Sequence, residues 1–401
     1  MVPREAEAFS GADASPLLER ERLPIVEVRG TTTACLAPRS ATRTRGGEIA
    51  AGRPRELLKR YNEIVTGQRM DWTEHYRLIR RLGSGGQGVV YLGERRGTDR
   101  FTMPVALKVF SPERYGDERV YAEAMARIAH VAGHVAKVQQ DNLLDVHNWV
   151  DRHRIRIMEM EWIDGYDLAR LLTPWMYDTI RGRVSSRRWE YINQVIITAG
   201  PAQPRLKPGI AIAIIRDCLA ALGALHREGI VHNDLKPSNI MLKRTGNAKI
   251  VDIGSAFDLE DLPLVRICTP SYAAPEVLDA GECTPRSDLA SLGYVLIEML
   301  AGMPLFESKT SWRDLLEAKR VLSQRLPRLL PQEVVCNELL MSFCRGLIAP
   351  DPMQRFPSAE AADLLKEGAA SFHRQLVKGD LASEYDHEIR LWLDTTRSEN
   401  G

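Results

Sequence analysis

The chain has 401 residues, a net charge of +1 at pH 7, 44% hydrophobic residues and 27% charged residues. This length exceeds the number of residues that usually fold around a single hydrophobic core, so two lobes with tails are expected. The composition is that of a soluble globular protein and excludes a fibrous or wholly disordered chain, and the lack of a basic excess argues against nucleic acid as a partner.

The cysteines and the apolar stretches bear on location. Six cysteines are scattered without a C-x-x-C pair, and no apolar signal segment follows Met1. This pattern favours reduced thiols and a cytoplasmic location. The most apolar stretch, "GIAIAIIRDCLAALGAL" from Gly209, contains Arg216 and Asp217 and is shorter than the roughly 20 apolar residues of a membrane span. It is predicted to be a buried helix, and no membrane association is expected.

Residues 1–70 are rich in Ala, Arg, Thr, Gly and Pro and have little periodicity, apart from a short helical pattern in "PRELLKRYNEIV" from Pro54. They are predicted to form a flexible arm. Part of the arm is basic, which fits either a solvated leader or a docking segment for a regulatory partner. The basic residues are Arg39, Arg43, Arg45, Arg53 and Arg55.

Residues 71–163 have the pattern of a small β-rich lobe. The runs "YRLIRRLGSGGQGVVYLGE" and "PVALKVF" predict strands, and "RIRIMEMEWIDGYDL" from Arg154 predicts another strand that ends in a turn at Asp164 and Gly165. Apolar residues at helical spacing in "DERVYAEAMARIAHVAGHVAKV" from Asp117 predict one main helix.

Residues 164–366 are predicted to form a larger, mostly helical lobe, interrupted by the β-like pieces "NIML" and "AKIVDIG". A polar, arginine-bearing stretch at 173–207 interrupts the helical pattern and is interpreted as an insert, either a decorated surface loop or a surface that recruits an acidic substrate or a partner. Residues 367–401 finish a last helix and form a tail, where Trp392 indicates packing. The predicted helices are 209–226, 287–301, 312–325 and 357–377.

Three glycines, Gly83, Gly85 and Gly88, lie between two strand-like runs. Glycines there let the backbone approach a phosphate chain and offer N–H groups to anionic oxygens. Because a strand follows Gly88, a flexible hairpin over phosphates is favoured over a dinucleotide site. Lys108 lies mid-strand in "VALKVF", where a charged side chain needs a partner or ligand. Glu123 on the next helix can supply the opposite charge, with Glu118 as the alternative.

The stretch "GIVHNDLKPSNIML" from Gly229 contains three polar side chains within six positions. Asp234 could accept a proton from an attacking hydroxyl, Lys236 could neutralise a transferring phosphoryl group, and Asn239 offers an oxygen to a metal. Asp252 ends the apolar run in "KIVDIGSA". Asparagine and aspartate oxygens form a hard donor set, which suits Mg²⁺ rather than zinc.

Together these motifs resemble the signature set of eukaryotic-type (Hanks-type) serine/threonine protein kinases, and "GSGGQGVVY" and "YAAPE" resemble those of bacterial members of the family. The matching pieces, in order, are "GSGGQGVVY", "VALK", "HNDLKPSN", "DIG" and "CTPSYAAPE". Asp288 resembles the aspartate of the large central helix in this family. Arg355 resembles the arginine that pairs with the glutamate of "APE", here Glu276.

The resemblance implies an α+β, bilobal protein kinase fold that uses ATP with Mg²⁺, or Mn²⁺, to phosphorylate Ser or Thr of a protein substrate. It implies that Lys108, held by Glu123, grips phosphates, that Asn239 and Asp252 hold the metal, and that Asp234 orients the substrate hydroxyl. Lys236 and Thr269 fit the Ser/Thr class.

The resemblance also implies an adenine site beneath Val90 and Ala106. Met160 would be the gatekeeper and Glu161 to Ile163 the hinge, with an alignment two residues earlier as the alternative.

Two departures from the family pattern concern regulation. Asn233 replaces the arginine that usually precedes the catalytic aspartate, so the cation that would receive a loop phosphate is missing. The segment from Phe257 to Cys268 contains no Ser, Thr or Tyr. The sequence therefore predicts a kinase that does not depend on phosphorylation of this loop. Ile253, in place of the usual phenylalanine, keeps an apolar side chain. A nucleotide-binding scaffold and a small-molecule kinase of related fold are the alternatives.

Overall fold

The computed structural model describes residues 34–36, 55–67, 76–263, 266–306, 311–378 and 385–396. The predictions for the rest of the arm and for the last residues of the tail concern residues outside these ranges. The elements up to residue 163 are, in chain order, β1 (Ala34–Leu36), α1 (Arg55–Gly67), β2 (Tyr76–Gly85), β3 (Gly88–Arg96), β4 (Thr102–Phe110), α2 (Glu118–Val135), β5 (Val146–Arg152) and β6 (Ile155–Glu161).

The smaller lobe is a five-stranded antiparallel sheet in the order β2-β3-β4-β6-β5, which confirms the β-rich lobe. The inner half of β4 is buried, with Val105 and Val109 at 0% exposure, because strands cover it on both edges and α2 lies nearby. Asp117 caps α2 by accepting a hydrogen bond from the Val120 amide. The main helix expected from Asp117 is confirmed.

The helical pattern from Pro54 forms α1, and it packs on the smaller lobe. Leu57 and Ile64 are buried, and the Tyr91 hydroxyl donates a hydrogen bond to the Val65 carbonyl at 3.0 Å. Residues 55–67 of the predicted arm therefore form a packed helix. The apolar face of α1, which includes Leu57 and Ile64, holds the helix on the smaller lobe because burial of apolar side chains is favourable.

The larger lobe is mostly helical, with short strands near its junction with the smaller lobe. Its elements, in chain order, are β7 (Gly165–Asp167), α3 (Leu168–Leu171), α4 (Pro174–Arg183), α5 (Ser186–Val195), β8 (Ile197–Thr198), β9 (Arg205–Leu206), α6 (Pro208–Arg227), β10 (Ile230–Val231), β11 (Ile240–Lys243), β12 (Ala248–Ile250), β13 (Phe257–Asp258), β14 (Arg266–Cys268), α7 (Pro275–Leu278), α8 (Pro285–Ala301), α9 (Trp312–Arg320), α10 (Leu322–Leu329), α11 (Gln332–Val335), α12 (Glu338–Ile348), α13 (Ala359–Leu364), α14 (Ala369–Lys378) and α15 (Tyr385–Asp394).

Two of the four predicted helices are single helices, and two are broken. α6 and α8 match the predictions closely, and α8 begins at Pro285 behind Thr284 in a reciprocal capping box with Ser287. The pattern at 312–325 is split between α9 and α10 at Val321, and that at 357–377 is split between α13 and α14. Apolar periodicity continues across both breaks, so it did not mark them.

α6 is long and apolar enough by composition to cross a membrane, yet 72% of that window is buried inside the protein. It packs against α8 and α13 in the core of the larger lobe. The expected buried helix is confirmed.

The stretch at 173–207, interpreted from sequence as an insert, forms regular secondary structure that packs into the larger lobe. It forms α4, α5 and the β8–β9 hairpin, with Ile180, Ile192 and Ile197 fully buried. The tail packs beside it, since the Arg183 guanidinium donates a hydrogen bond to the Thr396 carbonyl at 3.0 Å. Trp392 is fully buried, which confirms the packing expected for it.

The predicted pair of Glu276 and Arg355 is present, with Arg355 buried and Glu276 partly buried. The guanidinium donates two hydrogen bonds of 2.7 Å, one to each carboxylate oxygen. Its side chain is 0% exposed and also donates to the Ala349 and Arg286 carbonyls. This paired geometry fixes α7 against the segment before α13.

Candidate active site

The stretch from His232 to Asn239 is held by one carboxylate of α8. Asp288 accepts hydrogen bonds from the backbone amides of His232 at 2.9 Å and Asn233 at 2.8 Å, and its Oδ2 lies 2.9 Å from the His226 ring. The side chain of Asp288 is 1% exposed. Asn233 has a φ of 65°, in the left-handed region that Asn adopts more readily than most residues. Asp288 therefore holds a strained turn in place ahead of Asp234.

Asp234, Lys236 and Thr269 form one closed hydrogen-bonded group. Lys236 Nζ donates to Asp234 Oδ2 at 2.7 Å and to Thr269 Oγ1 at 2.9 Å. The Thr269 hydroxyl and amide donate to Asp234 Oδ1 at 2.6 and 3.0 Å. Asp234 is a buried carboxylate held by donors on both oxygens, so its orientation is fixed.

Asn239 lies against Asp234 and has its amide oriented by that contact. Its Nδ2 donates to the Asp234 carbonyl at 2.8 Å and approaches Oδ2 at 3.4 Å. The amide nitrogen is thereby engaged on the Asp234 side. Oδ1 faces away from Asp234 and accepts a long hydrogen bond of 3.5 Å from the Ser238 hydroxyl. An oxygen in this position is what a hard cation requires.

Asp252 lies at the end of the β12 segment and carries a strongly acidic carboxyl. Burial would raise its pKa, but the charge and hydrogen bond of Lys108, and then the charge of Lys236, lower the pKa to about 2. In the described residues its hydrogen bonds, from Lys108 Nζ and from the Gly254 amide, both use Oδ1. With Asp252 Oδ2 and Asn239 Oδ1 turned away from these donors, the donor set fits Mg²⁺.

The expected pair of Lys108 and Glu123 is not formed, which corrects the prediction from sequence. Tyr121 and Met125 of α2 are each 1% exposed and fix its inward face. Since successive helical residues are turned by about 100°, Glu123 lies on the opposite side. It is exposed and accepts a hydrogen bond from Arg119 at 2.8 Å. The alternative, Glu118, pairs with Arg154.

Gln87 takes the place that the sequence assigned to a glutamate. Its Oε1 accepts a hydrogen bond from Lys108 Nζ at 2.6 Å, and its Nε2 donates to Ser255 Oγ at 2.9 Å. The glycine-rich hairpin is thereby folded down onto the turn after Asp252. Sequence reasoning missed this residue because glutamine in a turn is ordinary, and its partners lie 21 and 168 positions away.

The glycine-rich stretch is the hairpin between β2 and β3, as expected. Gly85 pairs with Gly88 and Gly83 pairs with Val90 across the two strands. Gly88 has a φ of 142°, and a Cβ there would lie 2.0 Å from the Val109 carbonyl oxygen. Only glycine fits at that position.

The residues expected around adenine line the junction of the two lobes. Ala106 is opposite Met160 in the β4–β6 ladder, and Val90 is opposite Lys108 in the β3–β4 ladder. Met160 and Ile163 are buried. Glu161 is anchored by the Asp145 amide at 2.8 Å and by an ion pair with Lys249, so the segment after β6 is fixed from two sides.

Comparison with known proteins agrees with this geometry. Residues 76–366 match the model of the protein kinase domain. The chain belongs to the protein kinase family. It is 32% identical over 288 residues to serine/threonine-protein kinase PknD of Mycobacterium tuberculosis, which covers 71% of this chain and 38% of that protein.

Other relatives are of the same kind. The chain is 30% identical over 240 residues to serine/threonine-protein kinase PknH of Mycobacterium bovis, covering 59% of this chain and 34% of that protein. It is also 30% identical over 233 residues to serine/threonine-protein kinase PknL of Mycobacterium tuberculosis, covering 57% of this chain and 49% of that protein. The alignments thus span between about a third and a half of these relatives.

As a member of the kinase family, the chain departs from the common pattern at Asn233. The Asn233 side chain is buried, and its Nδ2 donates to the Ser255 carbonyl at 3.3 Å. The side chain therefore supports the turn after Asp252 and presents no cation to the segment from Phe257 to Cys268. β1 pairs in antiparallel register with β14 in this segment.

Proposed function

We propose that the chain is a serine/threonine protein kinase that transfers the γ-phosphoryl group of ATP to hydroxyl groups of a protein substrate. The observation that carries the proposal is the closed group of Asp234, Lys236 and Thr269 beside the acidic Asp252. Lys236 donates to Asp234 Oδ2, and the charge of Lys108, followed by that of Lys236, lowers the pKa of Asp252, so both carboxylates are paired with lysines.

In the proposed reaction, Asp234 orients the substrate hydroxyl and accepts its proton while Thr269 holds the Asp234 carboxylate in place. Lys236 stabilises the negative charge of the transferring group, and Lys108 binds the phosphates. In the structure, Lys108 Nζ contacts Asp252 and Gln87. When ATP binds, phosphate oxygens would take the place of Gln87 as hydrogen-bond acceptors of Lys108. Asn239 and Asp252 would hold Mg²⁺, or Mn²⁺, which when bound neutralises phosphate charge.

Adenine is proposed to bind at the junction between the lobes, where the backbone from Glu161 to Ile163 offers hydrogen bonds beneath Val90 and Ala106. The proposed substrates are proteins with Ser or Thr residues. A regulatory partner is proposed to bind through the arm or through residues 173–207. The proposed location is the cytoplasm, supported by the scattered cysteines of the sequence.

The direct test is incubation of the purified chain with labelled ATP, Mg²⁺ or Mn²⁺, and a generic basic protein. We expect label on Ser and Thr of the protein. A chain that binds nucleotide without transfer, under varied metal and pH, would instead be a scaffold. Transfer only to small molecules would favour a small-molecule kinase.

The exposed position of Glu123 predicts that the substitution Glu123→Gln has little effect on transfer. Glu123 forms an exposed i,i+4 ion pair with Arg119 and makes no contact with Lys108, so the rate is expected to stay within about threefold of that of the unchanged chain. Lys108→Met is the matched substitution at the position that contacts Asp252, and we expect it to lower the rate strongly. A loss on Glu123→Gln comparable to that on Lys108→Met would mean that α2 rotates to pair Glu123 with Lys108.

The buried Asn233 predicts that activity survives dephosphorylation. The purified chain is treated with a phosphatase, its intact mass is measured to confirm removal of phosphate, and its transfer rate is compared with that of a sample mixed with inhibited phosphatase. We expect equal rates, because no cation at position 233 couples a loop phosphate to Asp234. A large loss of rate after dephosphorylation would contradict this.

A further inference from the structure

Two histidines of α2 and one aspartate of β13 converge outside the candidate active site. His130 and His134 are one turn apart on the helix, so their rings lie on one face, with centroids 4.4 Å apart. His130 Nε2 lies 3.9 Å and His134 Nδ1 lies 3.5 Å from Asp258 Oδ2. One ligand atom from each of the three residues lies within 4.8 Å of the other two. Three donors therefore point at one small volume.

The carboxylate of Asp258 is oriented toward the two rings. Its Oδ1 accepts a hydrogen bond from the Glu260 amide at 2.8 Å, which leaves Oδ2 on the side of α2. Pairing of β13 with β10, where Asp258 is opposite Ile230, fixes the backbone that carries it. The Asp258 side chain is only 10% exposed, whereas that of His130 is 53% exposed, so the group is anchored on one side and open to solvent on the other. Such anchoring is the outer support that metal ligands commonly have.

We propose that His130, His134 and Asp258 form a site for a divalent transition-metal ion, with Zn²⁺ as the preferred ion. A tetrahedral zinc ion with bonds of about 2.0–2.1 Å holds its ligand atoms about 3.3 Å apart. The observed separations from Oδ2 are 3.5 and 3.9 Å, and all three ligand atoms lie within 4.8 Å of one another. A rotation of the exposed His130 ring would bring its nitrogen closer to the other two. Imidazole nitrogens with one carboxylate suit zinc and exclude Mg²⁺ as the preferred ion. The fourth position faces solvent at His130.

The site connects the two lobes. α2 belongs to the smaller lobe, and Asp258 of β13 lies in the larger lobe six residues after Asp252. α2 also packs against the turn Ile253–Ser255, where Ser255 accepts the hydrogen bond from Gln87. An ion bound by both elements resists their separation. The proposal adds to the proposed function a means of restraining α2 relative to Asp252, and its binding test does not depend on catalytic activity.

Metal binding is tested by calorimetric titration of Zn²⁺ into the metal-free, full chain without an affinity tag, in excess Mg²⁺. We expect one saturable equivalent whose affinity falls at least tenfold in His130→Ala and in Asp258→Asn. His130→Ala changes an exposed side chain, and Asp258→Asn keeps the acceptor for the Glu260 amide, so both are expected to fold. His387→Ala on α15 is the matched control and should bind as the unchanged chain does. Titration with Co²⁺, followed by its visible absorption, reports the ligand geometry.

Stability gives a second readout. Zn²⁺ is expected to raise the thermal unfolding midpoint of the unchanged chain and of His387→Ala, and to raise it much less in His130→Ala. Cys336→Ser is tested in parallel because Cys336 is an exposed thiol that can bind zinc. Equal Zn²⁺ affinity in His130→Ala, Asp258→Asn and the unchanged chain would overturn the proposal, as would loss of the bound equivalent in Cys336→Ser alone. Loss of phosphoryl transfer with intact Zn²⁺ binding would contradict the proposed function and leave the metal site standing.

Discussion

The substitution Asp234→Asn is expected to lower the rate of phosphoryl transfer by about 10²- to 10⁴-fold, the usual contribution of a positioned general base. Asparagine has nearly the same shape, and its Oδ1 can still accept the two hydrogen bonds from Thr269. What it loses is the negative charge, the ability to accept a proton and the acceptor that Asp234 Oδ2 offers to Lys236 Nζ. Rates at saturating ATP and Mg²⁺, measured with the same protein substrate, provide the comparison.

The control for this prediction is Asp141→Asn, which removes an exposed carboxylate far from Asp234 in sequence, and its rate should be unchanged. The thermal unfolding midpoint and the affinity for nucleotide are measured on both variants, so that a folding defect is recognised. A folded Asp234→Asn variant that keeps more than about a tenth of the original rate would show that Asp234 is not the proton acceptor, since general bases contribute more than that.

The substitution Arg355→Met is expected to destabilise the chain by about 3–5 kcal/mol, because it removes the guanidinium from the partly buried carboxylate of Glu276 and leaves that carboxylate with the hydrogen bond from the Ser287 hydroxyl. Glu276 is 14% exposed at its side chain, so water cannot fully replace the two lost hydrogen bonds. The three carbonyls that now accept from Arg355, those of Ala349, Arg286 and Pro350, lose their donor as well. Urea unfolding, with the slope fitted for each variant, measures the change.

Two further variants separate the pair from the general effect of a changed arginine. Adding Glu276→Gln to Arg355→Met removes the buried charge, so we expect part of the lost stability to return. Arg227→Met breaks an exposed ion pair with Glu360 and is expected to cost less than about 1 kcal/mol. Equal losses for Arg355→Met and Arg227→Met would contradict the importance of burial at the Glu276 pair.

Much of the site could be predicted because its motifs are local in sequence. Asp234, Lys236 and Asn239 lie within six positions, so a single short loop carries all three side chains. The hairpin of glycines followed by the strand of Lys108 is likewise set by nearest-neighbour pairing.

Predictions failed where a side chain's direction depended on how an element is rotated. Glu123 is at a reasonable distance along the chain from Lys108, but the burial of Tyr121 and Met125 turns it to solvent. The insert at 173–207 has a polar sequence, yet Ile180, Ile192 and Ile197 are buried against the larger lobe. Composition gives the average polarity of a segment, whereas packing depends on which few side chains share a face.

The sequence by itself determined the order of the lobes, the β-hairpin of glycines and the loop of Asp234, which depend on local periodicity and turn chemistry. The pair of Glu276 and Arg355 was implied by the resemblance of the sequence to the protein kinase family. Only the tertiary structure decided that Gln87 contacts Lys108 and that His130, His134 and Asp258 meet. These contacts join residues far apart in the chain. Interactions between neighbouring residues do not favour them, so they form only when burial of the core has fixed α2, the hairpin and β13 in space.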